Sequence, residues 1–215
     1  MMTGSDFRLV YSLDMTDPDQ SCPENLKLNM HGSRRLCGRN TDGASCDSIV
    51  IPLNGQAYNE VRGRVTGLQF GSTDAFLSGG TNIDGVYVDG VSITHGQNPR
   101  KHVWTLGAGL HQYKVSGFTC PGTGHGHPQP AFVANNYFCT SGNPDPDGFE
   151  FRIYDAPLWS TIKGNCGHCN NVFDIPFFCT RLPETSVDDL ELRICANEGL
   201  ANEDILLETI ELYIM

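Results

Sequence analysis

The sequence predicts an all-β fold, an antiparallel β-sandwich of jelly-roll type that is stapled by disulfides and carries long irregular loops. Three observations lead there. Segments with a period of two recur along the chain, turn residues separate them, and no segment longer than two turns carries a 3.6-residue apolar stripe. Composition agrees: 24 Gly and 12 Pro among 215 residues weaken helix interiors and favour tight turns. The length suits one sandwich. Cysteines punctuate the chain without a clean polar linker, so residues 1–215 are expected to form a single domain.

The elements follow in order. Residues 7–13 and 48–53 are apolar strand candidates. Val61 and Val65 alternate with Arg62, Arg64 and Thr66, as a half-buried strand requires. Residues 86–93, 102–106 and 131–138 are further candidates, and Trp104 within the second of them is expected in the core. Phe149, Phe151 and Ile153 alternate with Glu150 and Arg152. A single helical turn is the most that 183–189 suggests. Leu190, Leu192 and Ile194 then alternate with Glu191 and Arg193, and Leu206, Ile210, Leu212 and Ile214 oppose Thr209, Glu211 and Tyr213. These last two strands, 189–195 and 205–214, are joined by ANEGLANED, a polar hairpin or short crossover, and the final strand is expected to tuck into a sheet. Asp-Gly pairs at Asp42, Asp84, Asp89 and Asp147 mark tight turns. Residues 120–130 (CPGTGHGHPQP) and 139–148 (CTSGNPDPDG) have the composition of long surface loops.

The nine cysteines are Cys22, Cys37, Cys46, Cys120, Cys139, Cys166, Cys169, Cys179 and Cys195. Spread over the whole chain, they form a disulfide framework suited to an oxidising compartment, with one cysteine left over. Eight paired cysteines allow about 105 connectivities, so the pairing stays open. A secreted, extracellular protein is expected, although the opening MMTGSDFRLV shows no apolar leader segment. A processed form, or export within a longer protein, reconciles the two. No apolar run approaches the roughly 20 residues needed to span a bilayer. The formal net charge is −11 and the pI is near 4.9. That field opposes phosphate backbones and anionic membranes, which leaves cations, basic proteins and neutral glycans as partners.

The strings VRGRVTGLQFGSTDAF (61–76), DGVYVDGVSITHG…PRKHVWTLGAGL (84–110), PAFVANNYFCTSG (130–142), APLW (156–159) and DDLELRIC…NEDILLETIELYI (188–214) resemble a cysteine-rich extracellular module of sponges, cnidarians and lancelets. The resemblance runs from about Cys22 to the end. It implies a secreted β module of a marine invertebrate, with no assigned reaction and no site residues. The module's usual Cys-Pro-Cys triplet is broken here, where Cys120 is followed by Pro121 and Gly122. That departure offers a reason for an unpaired cysteine.

Three ligand chemistries are written into the sequence. His125 and His127 in one loop, with Cys166, His168 and Cys169 in another, have the donor types of tetrahedral zinc. Disulfides consume such cysteines outside the cell, so bridges are the favoured reading. Calcium takes carboxylate, amide and carbonyl oxygens, and NTDG (40–43), NIDG (82–85) and NPDPDG (143–148) gather them in turns. Asn143, Asp145 and Asp147 are the best set, although Asx-Gly pairs serve more often as plain turn formers. For a glycan, Trp159 and Tyr137 offer stacking surfaces, seconded by Trp104 and Tyr154, with Asn135, Asn136 and Asp155 as hydrogen-bond partners.

Catalytic motifs are missing: no Gly-x-Ser-x-Gly elbow, no His-Glu-x-x-His and no phosphate-cradling loop. Cys120 with His125 has nothing to orient it as a nucleophile and base. Asp188, Asp189, Glu203 and Asp204 are the acids from which a hydrolase would be built. No Asn-x-Ser/Thr sequon occurs. The expected function is therefore a non-enzymatic extracellular structural or adhesive role. Its contacts would be with itself, another matrix protein, or a mineral phase such as silica, with no obligatory cofactor. The alternative is a lectin-like module, with or without calcium, and a hydrolase is the third reading.

Overall fold

A computed structural model of the chain describes residues 7–43, 45–69, 76–77, 83–84, 87–88, 90–110, 132, 137–142, 156–157, 177–196 and 205–215. Its elements are strands: β1 (Arg8–Asp14), β2 (Leu26–His31), β3 (Arg34–Arg39), β4 (Ser45–Ile51), β5 (Tyr58–Gln69), β6 (Phe76–Leu77), β7 (Tyr87–Val88), β8 (Gly90–His95), β9 (Lys101–Leu110), β10 (Tyr137–Gly142), β11 (Ala156–Pro157), β12 (Phe177–Ser186), β13 (Leu190–Ala196) and β14 (Ile205–Ile214).

They form two main sheets and a small β6–β7 hairpin. The first sheet runs β11-β5-β14-β3-β2, with β1 alongside β14 and β12 alongside β5. The second runs β10-β9-β8-β13-β4. All pairings are antiparallel except β9 with β10. The C-terminal strand β14 does tuck into a sheet, between β5 on one side and β1 and β3 on the other. Its predecessor β13 lies in the other sheet, so the polar segment between them is a crossover and not a hairpin.

Several expectations shift. Residues 183–186 belong to β12 rather than to a helical turn. The register of β12 on β5 breaks between Arg181 and Ser186, which is where Pro183, without an N–H to give a ladder, is tolerated. The stretch expected as one strand over 86–93 is divided between β7 and β8, and the strand expected over 131–138 is β10, displaced toward its C-terminus. Cys139–Gly142 therefore belongs to a strand and not to the loop expected over 139–148. The strands β2 and β3 had no counterpart in the sequence reading. The alternating stretch 149–154 lies outside the described residues.

A single apolar cluster joins the inner faces of the two sheets. Val61, Val65, Ile210, Leu212 and Ile214 come from the first, and Val91, Ile93, Leu190, Leu192 and Ile194 from the second. Fully burying one such side chain contributes about 1.5–3 kcal/mol. Trp104 sits in this core as expected, stacked on Phe178 of the facing sheet at 4.3 Å between centroids and 9° between planes. Gly63 makes that stack fit. A Cβ there would lie 2.4 Å from the Phe178 ring. Where β8 meets β9 a bulge leaves Val103 as the extra residue, between the Ile93–Trp104 and Thr94–His102 pairs. Extra residues of this kind bend a strand and re-aim its side chains.

Two bridges are described in full. Cys22–Cys37 ties the segment before β2 to β3, with 5.6 Å between Cα atoms. Cys46–Cys195 joins residues directly opposite each other on β4 and β13, with 4.1 Å between Cα atoms. Cys179 is also disulfide-bonded. Of the other predicted framework residues, Cys139 falls on β10, and Cys120, Cys166 and Cys169 lie outside the described residues.

Candidate functional site

Three features of the described residues bear on function: a polar end of the sandwich, a buried polar layer on the outer face of the second sheet, and the open edges of both sheets.

At the polar end, the β8–β9 turn meets the β12–β13 turn. His95 Nδ1 lies 3.1 Å from Ser186 Oγ and 3.2 Å from Asp188 Oδ2. Tyr58 packs edge-on against His95 with centroids 6.2 Å apart, and its hydroxyl donates to the Asp188 carbonyl at 3.0 Å. Burial pushes the Tyr58 phenol up to about 12. Burial also lowers the His95 imidazole, against the raising pull of Asp188. The trio of Ser186, His95 and Asp188 has the residue types of a hydrolytic triad, but not its geometry. A triad needs the acid on one ring nitrogen and the nucleophile on the other, whereas both partners here sit on Nδ1. The nearby depression, about 210 Å³, lies among Val50, Gly96, Gln97 and residues 188–191. Small-molecule pockets usually measure about 300–1,000 Å³.

Two of the four acids expected for a hydrolase are engaged within the fold. Asp189 Oδ1 accepts the Leu53 N–H at 2.7 Å and Asp188 faces His95. Glu203 and Asp204 lie outside the described residues.

The buried polar layer centres on Glu191, which is 3% exposed. Arg100 donates to it through Nε at 2.6 Å and Nη2 at 3.2 Å, and Thr94 Oγ1 donates at 3.2 Å. Arg100 also pairs with Asp84. Burial alone would raise the Glu191 carboxyl. Hydrogen bonds from Arg100 and Ser48, with the charges of Arg100 and Arg193, outweigh it and hold the pKa below the usual range. Alongside, Ser92 and Thr105 share a hydrogen bond at 3.0 Å, and His102 Nε2 lies 2.8 Å from Thr105 Oγ1. Burial drives the His102 pKa down to about 3, and Phe132 packs edge-on against its ring. These groups satisfy one another, which is what buried polarity requires.

The predicted ligand sites fare unevenly. In the NTDG turn, the Gly43 carbonyl meets a guanidinium. Arg39, wholly buried, donates to Gly43 O at 2.6 Å and to Ser45 Oγ at 2.6 Å. Asp47 closes the turn by accepting the backbone N–H groups of Asn40 and Thr41 and the Thr41 hydroxyl. Asp84 of NIDG is engaged by Arg100. Among the described residues no group of three or more His, Cys, Asp or Glu could hold a metal ion. The calcium set Asn143, Asp145 and Asp147 lies outside them, as do the zinc-type residues His125, His127, Cys166, His168 and Cys169. Of the glycan set, Tyr137 opens β10 opposite Thr105, Trp104 is buried in the core, and Asn135, Asn136, Tyr154, Asp155 and Trp159 lie outside the described residues.

The open edges are what the sequence reading missed. Among the described residues the large exposed apolar side chains are Leu9, Leu28, Met30, Val50 and Val187. Leu9 is on β1, which among the described residues pairs only with β14. Leu28 and Met30 are on β2, which ends the first sheet, and Val50 is on β4, which ends the second. Only Val187 sits elsewhere, in the turn between β12 and β13. Both described bridges brace these margins: Cys22–Cys37 stands beside β2, and Cys46–Cys195 pins β4 to its neighbour. The alternation Leu-Lys-Leu-Asn-Met-His between Pro23 and Gly32 was the available signal for β2.

Among the described residues no helix is long and apolar enough to cross a membrane. Comparison of the chain with protein-family models, with characterised proteins and with solved structures finds no match.

Proposed function

We propose that the chain is a non-enzymatic extracellular structural or adhesive module that works by contact, in a matrix or mineral-associated assembly. The observation that carries this reading is the placement of the exposed large apolar side chains: among the described residues, four of the five stand on strands at a sheet margin. Proteins ordinarily blunt such edges with charge, Pro or a cover, because an open strand pairs with other chains. Here apolar residues are left there and the margins are braced covalently. The Ser186–His95–Asp188 geometry, the internally engaged carboxylates and the resemblance to cysteine-rich extracellular modules support the same reading.

The test compares the oxidised protein with a variant carrying lysine at Leu9, Leu28, Met30 and Val50. Light scattering across a wide concentration range and adsorption to silica particles are the readouts. Self-association or adsorption by the natural sequence, reduced at least tenfold in the variant, is expected. A protein that stays monomeric throughout and leaves silica bare overturns the proposal.

A further inference from the structure

Where β8 turns into β9 and β12 turns into β13, the two turns bound the depression of about 210 Å³. Gly96 and Gln97 line it from the first turn, and Asp188 and Asp189 from the second. Val50 and Glu191, directly opposite each other on β4 and β13, complete it. Its volume lies below the usual range for small-molecule pockets, about 300–1,000 Å³, and suits a single side chain.

The three acids that line it are used differently. Glu191 has its charge met by Arg100. Asp188 Oδ2 faces His95 Nδ1 at 3.2 Å, and burial lowers that imidazole, which is therefore uncharged at neutral pH. Asp189 Oδ1 accepts the Leu53 N–H at 2.7 Å. Among the described residues no Lys or Arg forms an ion pair with Asp188 or Asp189, and nothing donates to Asp188 Oδ1 or Asp189 Oδ2. Lys101, in register with His95, is exposed and bonds to neither. Each carboxylate is nevertheless held in place. The Asp188 N–H donates to Ser186 Oγ at 3.1 Å, and its carbonyl accepts from the Tyr58 hydroxyl at 3.0 Å. Gly96, at φ +67°, lets the facing turn approach, since a Cβ there would lie 3.2 Å from Asp188 Oδ2. Groups fixed in advance lose less freedom when a ligand arrives.

Exposed apolar surface stands beside this unmatched charge. Val50 is 46% exposed, and Val187, next to Asp188 in the chain, is 56% exposed. Negative charge against an apolar wall fits a cationic head on an apolar stem, the build of lysine and arginine. The free oxygens decide between the two. They are single oxygens from separate carboxylates and not the two-oxygen fork of one, so they suit a compact ammonium with three rotatable donors better than a planar guanidinium.

We propose that this depression takes the side chain of a lysine presented by a basic partner protein, with the ammonium held by Asp188 Oδ1 and Asp189 Oδ2 and the stem laid along Val50. The inference rests on the contact function proposed above and names a partner for one end of the sandwich. The net charge of −11 draws a basic partner toward the chain from any side, and the depression determines where one of its lysines lands.

Backbone-amide NMR titration of the oxidised full chain tests this, with Nα-acetyl-lysine amide as the probe. The norleucine analogue keeps the stem without the charge, and the arginine analogue replaces the ammonium. The lysine probe should shift the amides of residues 96–97 and 188–191, with a dissociation constant on the order of millimolar for a ligand of this size. The arginine probe should bind more weakly and the norleucine probe not at all. Changing Asp188→Asn together with Asp189→Asn should weaken the lysine probe at least fivefold. Asparagine keeps an acceptor for the Leu53 N–H, so circular dichroism should report an intact fold. Asp17→Asn with Asp19→Asn, on the exposed segment after β1, removes the same charge and should leave binding unchanged. No binding, equal binding of the norleucine probe, or an equal loss in the Asp17 and Asp19 variant overturns the inference. Should the lysine probe fail while the natural chain still self-associates or coats silica, the lysine site falls and the contact function stands.

Discussion

His102 stands on β9 with its ring against Phe132 and its Nε2 against Thr105. Because burial holds its pKa near 3, the folded protein keeps this imidazole neutral where the unfolded chain, with its ordinary value of 6.5, binds a proton. Folded His95 is lowered in the same direction by burial. The sign is therefore fixed: the unfolded state binds more protons, and stability is lost as pH falls from about 6.5 toward 3. Each such histidine contributes a slope of up to about 1.4 kcal/mol per pH unit. Denaturant midpoints measured between pH 7 and pH 4 should fall, and a His102→Gln variant should show a distinctly flatter profile. Single residues were legible unevenly. Trp104 was expected in the core from the apolar pattern around it, and it is there. His95 with Ser186, and Arg100 with Glu191, were not foreseen, because each pair is 91 residues apart in sequence and nothing local marks it.

Strands were legible where alternation was clean. The terminal segments of β13 and β14 and the centre of β5 carry regular apolar–polar repeats and form strands as expected. The β2–β3 hairpin escaped because its apolar residues are few and its inward row includes Arg35 and Arg39, opposite Met30 and Leu26. Arg39 is buried by satisfying its charge on carbonyls, a tertiary solution that composition does not announce. Proline in β12 misled for a related reason: a register break accommodates it. The bridges differ in what they enclose. Cys22–Cys37 spans 15 residues and Cys46–Cys195 spans 149. Loop-closure entropy assigns them about 3 and up to about 5 kcal/mol respectively. Replacing each pair with alanine should lower the denaturant midpoint in both cases, more for Cys46 and Cys195. Chemical unfolding of the two double variants would show the order, and equal or reversed losses would contradict it.

At the scale of the molecule, one apolar core joins two sheets, and the polar layer around Glu191 and Thr105 is satisfied from within. Loops expected to carry ligands either fall outside the described residues or, like the NTDG turn, close around an arginine. That the framework of cysteines means bridges was legible from their number and spread. Which cysteines pair was not, since pairing depends on which strands become neighbours. The sheet edges could not be read from sequence either, because an edge is defined by the strand that is absent beside it.

Covalent braces hold β4 and the β2–β3 margin in place. Peptide mapping of the unreduced protein tests this most directly. It should recover Cys22 linked to Cys37 and Cys46 linked to Cys195. Recovery of those four cysteines as free thiols, or joined to other partners, would contradict it.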